Sequence, residues 1–156
     1  MIRIWDLDGT VIDSSHRYRT LPCGGIDLPA WIRLATPDNI MRDRPLPMAR
    51  MMRRSFERAT VIVCTARVMS ETDYAWLDKH GLRYHAMLSR PEGLRMGDAD
   101  YKEFQLRRYA HDNGLTWAEF TAMSLMYDDA HCILEHLPTI GLKVIDAKLM
   151  NRLIAA

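Results

Sequence analysis

Four carboxylates fall close behind short apolar runs of the chain. Asp6 ends the first run and Asp8 stands two residues on, whereas Asp128 and Asp129 follow a later run. Carboxylate oxygens at close range bind Mg²⁺, which keeps water ligands and also accepts a phosphate oxygen. An aspartate can attack phosphorus and carry the phosphoryl group as an aspartyl-phosphate, while a second carboxylate moves the protons. This set of residues therefore predicts metal-dependent transfer of a phosphoryl group.

Thr65 and Lys102 are candidates for the hydroxyl and the cation that a phosphoryl group needs. Thr65 follows another apolar run, so its hydroxyl could hold a phosphoryl oxygen or only satisfy the end of a strand. Lys102 stands just inside a predicted helix, where it could bring a positive charge to the carboxylates or remain solvated. Asp128 and Asp129 have an alternative role too, because Asp is favoured as a helix N-cap.

Short apolar runs alternate with helical patterns, which is typical of a parallel sheet covered by helices. The clearest run, Thr60 to Cys64, is β-branched and continuous, like a strand that is buried on both faces. Ligands of such sheets bind beyond the carboxyl ends of the strands, where the polar residues fall. The predicted strands are 2–5, 60–64, 84–88, 122–127 and 142–145, and the predicted helices are 47–57, 70–80, 100–113, 129–137 and 148–154.

Residues 11–44 lack sustained periodicity and contain several prolines and glycines. So long an irregular stretch in a compact domain is usually functional, and we expect a small flap or cap inserted into a single domain spanning residues 1–156. Residues 27–34 could form a short helix anchored by Trp31. The insert is too short to seal a chamber, so we expect an open site that admits bulky substrates.

The composition, with 48% hydrophobic and 26% charged residues among 156, is that of an ordinary globular protein. No run of about 18 apolar residues occurs, so no membrane span is expected. Charge appears too early for a signal peptide, and we expect a cytoplasmic protein. Cys23, Cys64 and Cys132 lack the spacing of a disulfide framework or a zinc site. Cys64 is expected to be a buried strand residue rather than a nucleophile.

Arginine accounts for 17 of the 21 basic residues. Its planar guanidinium suits bidentate recognition of phosphate, although a GC-rich genome would give the same bias. A local surplus of positive charge suits a polyanion, but a solvated helix face is an equal alternative. The surplus consists of Arg42, Arg44, Arg50, Arg53, Arg54 and Arg58, against Asp43 and Glu57.

The run Asp6-Leu7-Asp8-Gly9-Thr10 resembles the DxDGT signature of the haloacid dehalogenase superfamily of phosphohydrolases, and Thr65, Lys102 and Asp128-Asp129 resemble its other three motifs. The resemblance implies an α/β, three-layer Rossmann-like fold with a central parallel sheet flanked by helices. It also implies that Asp6 is the nucleophile, that Asp8 is the general acid and base, and that Thr65 and Lys102 are catalytic. Mg²⁺ would be held by Asp6, Asp128, Asp129 and the Asp8 carbonyl, with Asp128 the preferred ligand of the last pair.

Further segments are similar to the phosphatase domains of phage-type polynucleotide kinase-phosphatases. The chain departs from that branch at Ala66 and Ser89, where Gly and Met are usual, and it has no P-loop of the kinase half. The resemblance places Gly9, Thr10, Arg17, Arg67 and Arg90 at the substrate. The segments that carry it are Asp13-Ser14-Ser15-His16-Arg17, Asp43-Arg44-Pro45-Leu46-Pro47, Thr65-Ala66-Arg67, Ser89-Arg90-Pro91 and Asp98-Ala99-Asp100-Tyr101-Lys102.

These observations favour a Mg²⁺-dependent phosphomonoesterase that acts through an aspartyl-phosphate. Its expected substrate is a nucleotide or a nucleic-acid end, such as a polynucleotide 3′-phosphate. The alternatives are a small-molecule phosphatase, either a 5′-nucleotidase or a sugar phosphatase, and an inactive binding module that keeps the fold. The sequence indicates no partner protein and no membrane association.

Overall fold

The central sheet has five parallel strands in a computed structural model that describes residues 1–22 and 26–156. The strands are Ile2–Trp5 (β1), Thr60–Thr65 (β4), Ala86–Ser89 (β5), Ser124–Asp128 (β6) and Lys143–Asp146 (β7), and a separate pair consists of Ile12–Asp13 (β2) and Arg44–Pro45 (β3). The order across the large sheet is β5-β4-β1-β6-β7. The predicted parallel sheet is thereby confirmed.

The register places the first strand at the centre of the sheet. Ile2 is aligned with Thr60 on one side and with Ser124 on the other, and Trp5 is aligned with Val63 and Tyr127. Since parallel strands end at the same edge, the residues that follow β1, β4 and β6 meet there. These are the strands behind which the predicted carboxylates and Thr65 fall.

Helices cover both faces of the sheet because the strand residues alternate between two apolar cores. Ile4 and Ile62 point into one core, whereas Trp5 and Val63 point into the other. The helices are Leu28–Leu34 (α1), Pro37–Met41 (α2), Ala49–Ser55 (α3), Glu71–Lys79 (α4), Asp98–Asp112 (α5), Trp117–Met123 (α6), His131–Thr139 (α7) and Ala147–Ala155 (α8). The three-layer α/β fold expected from the sequence is confirmed.

Two helical segments differ from the prediction. Helix α6 is absent from the prediction, and it includes the first two residues of the strand predicted over 122–127. Thr116 and Glu119 form a capping box at the start of this helix. Helix α7 continues through Pro138 instead of ending before it. The fixed φ of proline is compatible with a helix. The last turn is closed by hydrogen bonds from the backbone N–H groups of Ile140 and Gly141 to the carbonyls of Leu137 and Pro138, respectively.

The insert over residues 11–44 holds more structure than its sequence indicated. Strands β2 and β3 pair in antiparallel fashion, with Asp13 opposite Arg44. The predicted short helix is α1, whose first turn is capped by the side chain of Asp27. Helix α2 follows directly, because Thr36 caps it and Pro37 occupies its first position, where proline is favoured. The buried side chain of Ile40 packs α2 against the core.

None of the helices in the described part of the chain has the length and apolar character needed to span a membrane.

Candidate active site

Lys102 joins the two carboxylates that end the central strands. Asp6 follows β1 and Asp128 ends β6, and the Lys102 side chain reaches both from the first turns of α5. The Nζ atom donates to Asp6 Oδ1 at 2.7 Å and to Asp128 Oδ2 at 2.6 Å. All three residues are buried. A cation therefore lies against the predicted nucleophile, as the sequence suggested for Lys102.

The charges of this group do not balance. Burial raises the pKa of Asp6 well above its ordinary value, although the Lys102 charge acts to lower it and the Asp128 charge adds to the increase. Burial acts to lower the pKa of Lys102, but the two carboxylates outweigh it and the pKa is raised. One ammonium thus serves two buried carboxylates, and another cation would stabilise their ionised forms.

Asp129 completes a group of carboxylates with the spacing of a metal site. Asp6, Asp128 and Asp129 each offer an oxygen, and these oxygens lie within 4.8 Å of one another. Burial raises the pKa of Asp129, while Lys148 acts to lower it from 3.2 Å away. A hard cation such as Mg²⁺ fits this set, because it prefers oxygen ligands and would offset the surplus negative charge.

Gly9 allows Asp129 to approach the loop behind the first strand. A Cβ atom at Gly9 would lie 2.3 Å from Asp129 Oδ2, and the φ of Gly9 is +74°. Both the close approach and the positive φ require glycine at this position. Gly9 therefore leaves room for the Asp129 carboxylate. This role does not require Gly9 to contact substrate.

The Asp8 side chain is bound by a guanidinium and is not part of the cluster of the other three carboxylates. Arg67 Nε donates to Asp8 Oδ2 at 2.9 Å, Arg67 Nη2 donates to Asp8 Oδ1, and Ser14 Oγ donates to Oδ1 at 2.6 Å. Burial acts to raise the pKa of Asp8, but the Arg67 charge and these hydrogen bonds outweigh it, so that the pKa is lowered. Asp8 is therefore ionised at neutral pH, and the side chain of Asp8 is still 29% exposed.

Arg67 is at the centre of three carboxylates. Besides Asp8, it donates to Asp73 at 2.5 Å and to Asp43 at 3.3 Å. Asp73 is the third residue of α4, where it also closes the capping box with Ser70. The start of one helix and a loop of the insert are in this way tied to the predicted acid and base.

Arg17 lies behind this network. Only 2% of Arg17 is exposed, and the side chain donates to both oxygens of Asp43 at 3.0 and 2.9 Å. His16 reaches the same carboxylate at 2.8 Å. The Arg17 guanidinium also lies 4.1 Å from the centre of the Trp31 ring. Trp31 therefore anchors its short helix on the arginine network.

The two threonines of the predicted site are buried. Thr65 Oγ1 accepts a hydrogen bond from the Arg67 amide at 3.2 Å, which fixes the turn behind β4. Thr10 Oγ1 is buried without a hydrogen-bond partner in the described structure. The Thr10 carbonyl accepts a bond from the side chain of Asn151 at 2.9 Å. The loop that carries Asp8 is thus held from the last helix.

Comparison with known proteins shows the family of the chain. The sequence model of the family described as bacteriophage T5 5′-deoxynucleotidase matches residues 1–156. The chain belongs to this family. The 5′-deoxynucleotidase of Escherichia phage T5 is 34% identical over 180 residues, which cover 99% of this chain and 70% of the relative.

Solved structures place the phage T5 5′-deoxynucleotidase family in a wider fold group. A chain of the Pnkp1/Rnl/Hen1 complex superposes with a TM-score of 0.65 at 17% identity, covering 93% of this chain and 45% of that one. A haloacid dehalogenase-like hydrolase of Streptococcus pneumoniae superposes with a TM-score of 0.63 at 12% identity, covering 97% and 90%. The expected resemblance in fold to haloacid dehalogenase-like hydrolases is confirmed, and the chain is a hydrolase of the phosphatase type.

The predicted site residues of this family member fall into two groups. Asp6, Asp128, Asp129 and Lys102 share one cluster, and Asp8 and Arg67 form the neighbouring pair, with Thr65 behind them. Arg90 lies apart, because it donates to the carbonyls of Ala66, Leu94 and Met96 and to Asp98 at 2.8 Å. It orders the loop before α5, and its contact with substrate stays a prediction, as does that of Arg17.

Two arginines of the arginine-rich segment lie at the other end of the sheet. Arg53 donates to the carbonyl of His80 at 3.0 Å, and His80 ends α4 ahead of the amino end of β5. Arg58 lies two residues before the start of β4 at the same edge. The site lies at the carboxyl ends, about 20 Å away along a strand of this length. Arg42 and Arg44 flank Asp43 on the side of the insert, and Arg50, in the first turn of α3, borders a pocket together with Pro45 and Leu46.

Some partners in the site could not be identified from sequence. Asp73 reads as a helix cap, and Asp43 reads as part of a charged stretch, yet both bind Arg67. Lys148 and Asn151 belong to the last helix and carry no motif. Cys64 is buried as predicted, and burial raises the pKa of its thiol to about 12, which is unsuitable for a nucleophile.

Proposed function

We propose that this chain is a Mg²⁺-dependent phosphomonoesterase of deoxynucleoside 5′-monophosphates that acts through an aspartyl-phosphate on Asp6. The observation that carries the proposal is the placement of Lys102 between Asp6 and Asp128, beside the partly exposed pair of Asp8 and Arg67. The 5′-deoxynucleotidase activity in the name of the phage T5 relative supports the choice of substrate.

The chemistry divides into two steps on the same carboxylate. An Asp6 oxygen forms a bond to phosphorus while the bond from phosphorus to the nucleoside oxygen breaks, and Asp8 gives that oxygen its proton. Asp8 then takes a proton from water as the water oxygen attacks phosphorus. The bond to Asp6 breaks and inorganic phosphate leaves. One aspartate is the nucleophile and the other carries the proton in both directions.

Arg67 sets the proton state of Asp8 between these steps. It keeps Asp8 ionised before substrate arrives, which is the state that accepts a proton from water. A phosphate dianion beside Asp8 raises the pKa of that carboxyl by repulsion and also competes for Arg67. Binding of the substrate therefore favours the protonated Asp8 that the first step requires. Arg67 and Lys102 together supply the positive charge for the phosphoryl oxygens.

Asp6, Asp128 and Asp129 would hold the metal ion, with the Asp8 carbonyl as a further ligand. Mg²⁺ bound there would offset the negative charge of the cluster and polarise the phosphoryl oxygens. Lys102 already neutralises one of the buried carboxylates, so a divalent ion suits the remaining charge.

A mononucleotide is favoured over a polynucleotide end by the distribution of arginines. A long strand gains affinity from several phosphate contacts, and these require basic side chains along its path. Arg53 and Arg58 lie at the opposite edge of the sheet from the site. A single phosphate, by contrast, needs only Arg67 and Lys102.

A substrate panel with phosphate release as readout tests the function. The panel contains 5′-deoxynucleotides, 5′-ribonucleotides, 3′-deoxynucleotides, sugar phosphates and oligonucleotides phosphorylated at either end. We expect the highest kcat/KM for the 5′-deoxynucleotides, with the activity lost in Asp6→Asn. Preference for a 3′-phosphorylated oligonucleotide, or for a sugar phosphate, would contradict the proposed substrate. Release that survives in Asp6→Asn would contradict the mechanism.

A further inference from the structure

Two aromatic side chains of the insert stand together next to the arginine network. The rings of Tyr18 and Trp31 meet edge to face, with 6.4 Å between their centroids and 66° between their planes. Tyr18 is 42% exposed, and Trp31 is only partly buried even though Arg17 packs on its ring. Both rings therefore keep surface that a flat ligand could cover.

A single guanidinium separates this aromatic pair from the predicted acid and base. The Arg67 guanidinium carbon lies 5.8 Å from the centre of the Trp31 ring, and the same group holds both oxygens of Asp8. Asp8 acts on the oxygen that links phosphate to the leaving group. The aromatic pair thus lies on the side where the rest of the leaving group must go.

Several apolar side chains of the same stretch of the insert are exposed to solvent. Contiguous exposed apolar surface on a monomeric protein commonly marks a binding site, whereas single exposed residues need no explanation. Here the exposed residues come from one short stretch of the insert. They are Leu21, Ile26, Leu28 and Ile32, which range from 37% to 66% exposed.

We propose that Tyr18 and Trp31 form the subsite for the base of the nucleotide. The inference rests on the proposed function, since it requires a nucleotide phosphate at Asp6. In a nucleotide one sugar separates the phosphate from a flat aromatic base, and in the site one guanidinium separates Asp8 from a flat aromatic ring. Stacking on an aromatic side chain accepts every base, because each base has a π-face. The subsite therefore selects nucleotides over sugar phosphates without selecting strongly among bases.

The test compares a substrate that has a base with one that lacks it. The ratio of kcat/KM for dAMP to kcat/KM for 2-deoxyribose 5-phosphate is measured in the wild type, Tyr18→Ala, Trp31→Ala and Trp31→Phe. We expect the two alanine variants to lower this ratio about tenfold, and Trp31→Phe to retain most of it. Phe104→Ala is the matched control, because Phe104 is an exposed aromatic residue of α5 outside the insert, and it leaves the ratio unchanged.

Binding to the inactive Asp6→Asn protein gives a second readout by calorimetry with the same two ligands. Equal losses for dAMP and the sugar phosphate would mean that Trp31 only supports Arg17, and would overturn the subsite. An unchanged ratio in the alanine variants would also overturn the subsite. If the wild type were a dimer on gel filtration and these variants were not, the patch would belong to a contact with a second copy. A wild type that hydrolyses neither ligand would instead refute the proposed function.

Discussion

Asn151 on the last helix donates its side-chain amide to the carbonyl oxygen of Thr10, 2.9 Å away. The same side chain accepts a hydrogen bond from the amide of Met48 at 2.9 Å. One buried amide therefore ties the loop behind Asp8 to the start of α3. Aspartate at this position could accept only the bond from Met48, and alanine could make neither contact.

Asn151→Ala is expected to lower both stability and activity. The substitution leaves a buried amide and a buried carbonyl without partners, at about 1–3 kcal/mol for each group. Denaturant titration measures the loss of unfolding free energy. A lower kcat would report that the loop behind Asp8 is held less firmly. Leu153→Ala is the control on the same helix, because Leu153 is exposed, and it should change the free energy of unfolding by less than about 0.5 kcal/mol. Equal stability of the two variants would contradict the prediction.

Asp6→Asn is expected to remove turnover while the fold survives. The amide keeps the shape of the side chain but not its nucleophilic charge, so kcat should fall by at least about a thousandfold. Asp128 remains to pair with Lys102, so the melting temperature should be retained. Asp112→Asn, at an exposed position of α5, is the control. Residual activity within tenfold of the wild type would exclude Asp6 as nucleophile.

Millimolar Mg²⁺ is expected to raise the melting temperature. An ion that binds only the folded state stabilises it by about 2.7 kcal/mol at a concentration 100 times its Kd. Asp128→Asn should remove most of this shift, because Asp128 is one of three carboxylates that lie within 4.8 Å. The assay needs no turnover, and NaCl of equal ionic strength corrects for screening. A shift that is the same in Asp128→Asn would place the ion elsewhere.

Arg67→Met is expected to destabilise the protein most at neutral pH. The variant leaves three carboxylates without their shared cation, and breaking such a buried pair costs about 3–5 kcal/mol. The folded-state pKa of Asp8 is lowered from its ordinary value. Its contribution to stability is therefore complete above the unfolded pKa of about 3.9 and is lost as pH falls through the folded pKa.

The difference in unfolding free energy between wild type and Arg67→Met should accordingly shrink below about pH 4. Arg83→Met provides the comparison, since Arg83 pairs with Glu57 on the surface and should contribute less than about 1 kcal/mol at any pH. A difference that stays constant from pH 7 to pH 3 would argue against charge pairing as the cause.

Charge reversal at Arg53 or Arg58 is expected to leave KM for a 5′-deoxynucleotide within about twofold of the wild type. These residues lie at the far edge of the sheet, and a single phosphate makes few of the contacts that release counterions. KM measured at several salt concentrations should show a shallow slope. A steep slope for oligonucleotides that is lost in Arg53→Glu would identify the arginine-rich segment as a strand-binding surface.

The sequence was most informative where a strand ends in a polar residue. The strands that precede Asp6, Thr65 and Asp128 were predicted from apolar runs, and topology alone then requires their ends to meet. The insert was less predictable, because its helices are short and depend on caps and on one buried residue such as Ile40. The arginine network could not be foreseen, since Arg67 meets Asp8 and Asp43 through tertiary packing and not through any periodic spacing.

The central position of β1 has a consequence for how the protein is made. Among the strands of this sheet, β1 is synthesised before both of its neighbours, which are β4, beginning at Thr60, and β6, beginning at Ser124. At ordinary rates of synthesis β1 waits on the order of ten seconds for its second neighbour. The edge of β1 that pairs with β6 stays exposed for that time, even after β4 has become available to the other edge. Folding rate and yield during translation should therefore depend on residues near the carboxyl end more than on the strand that carries the nucleophile.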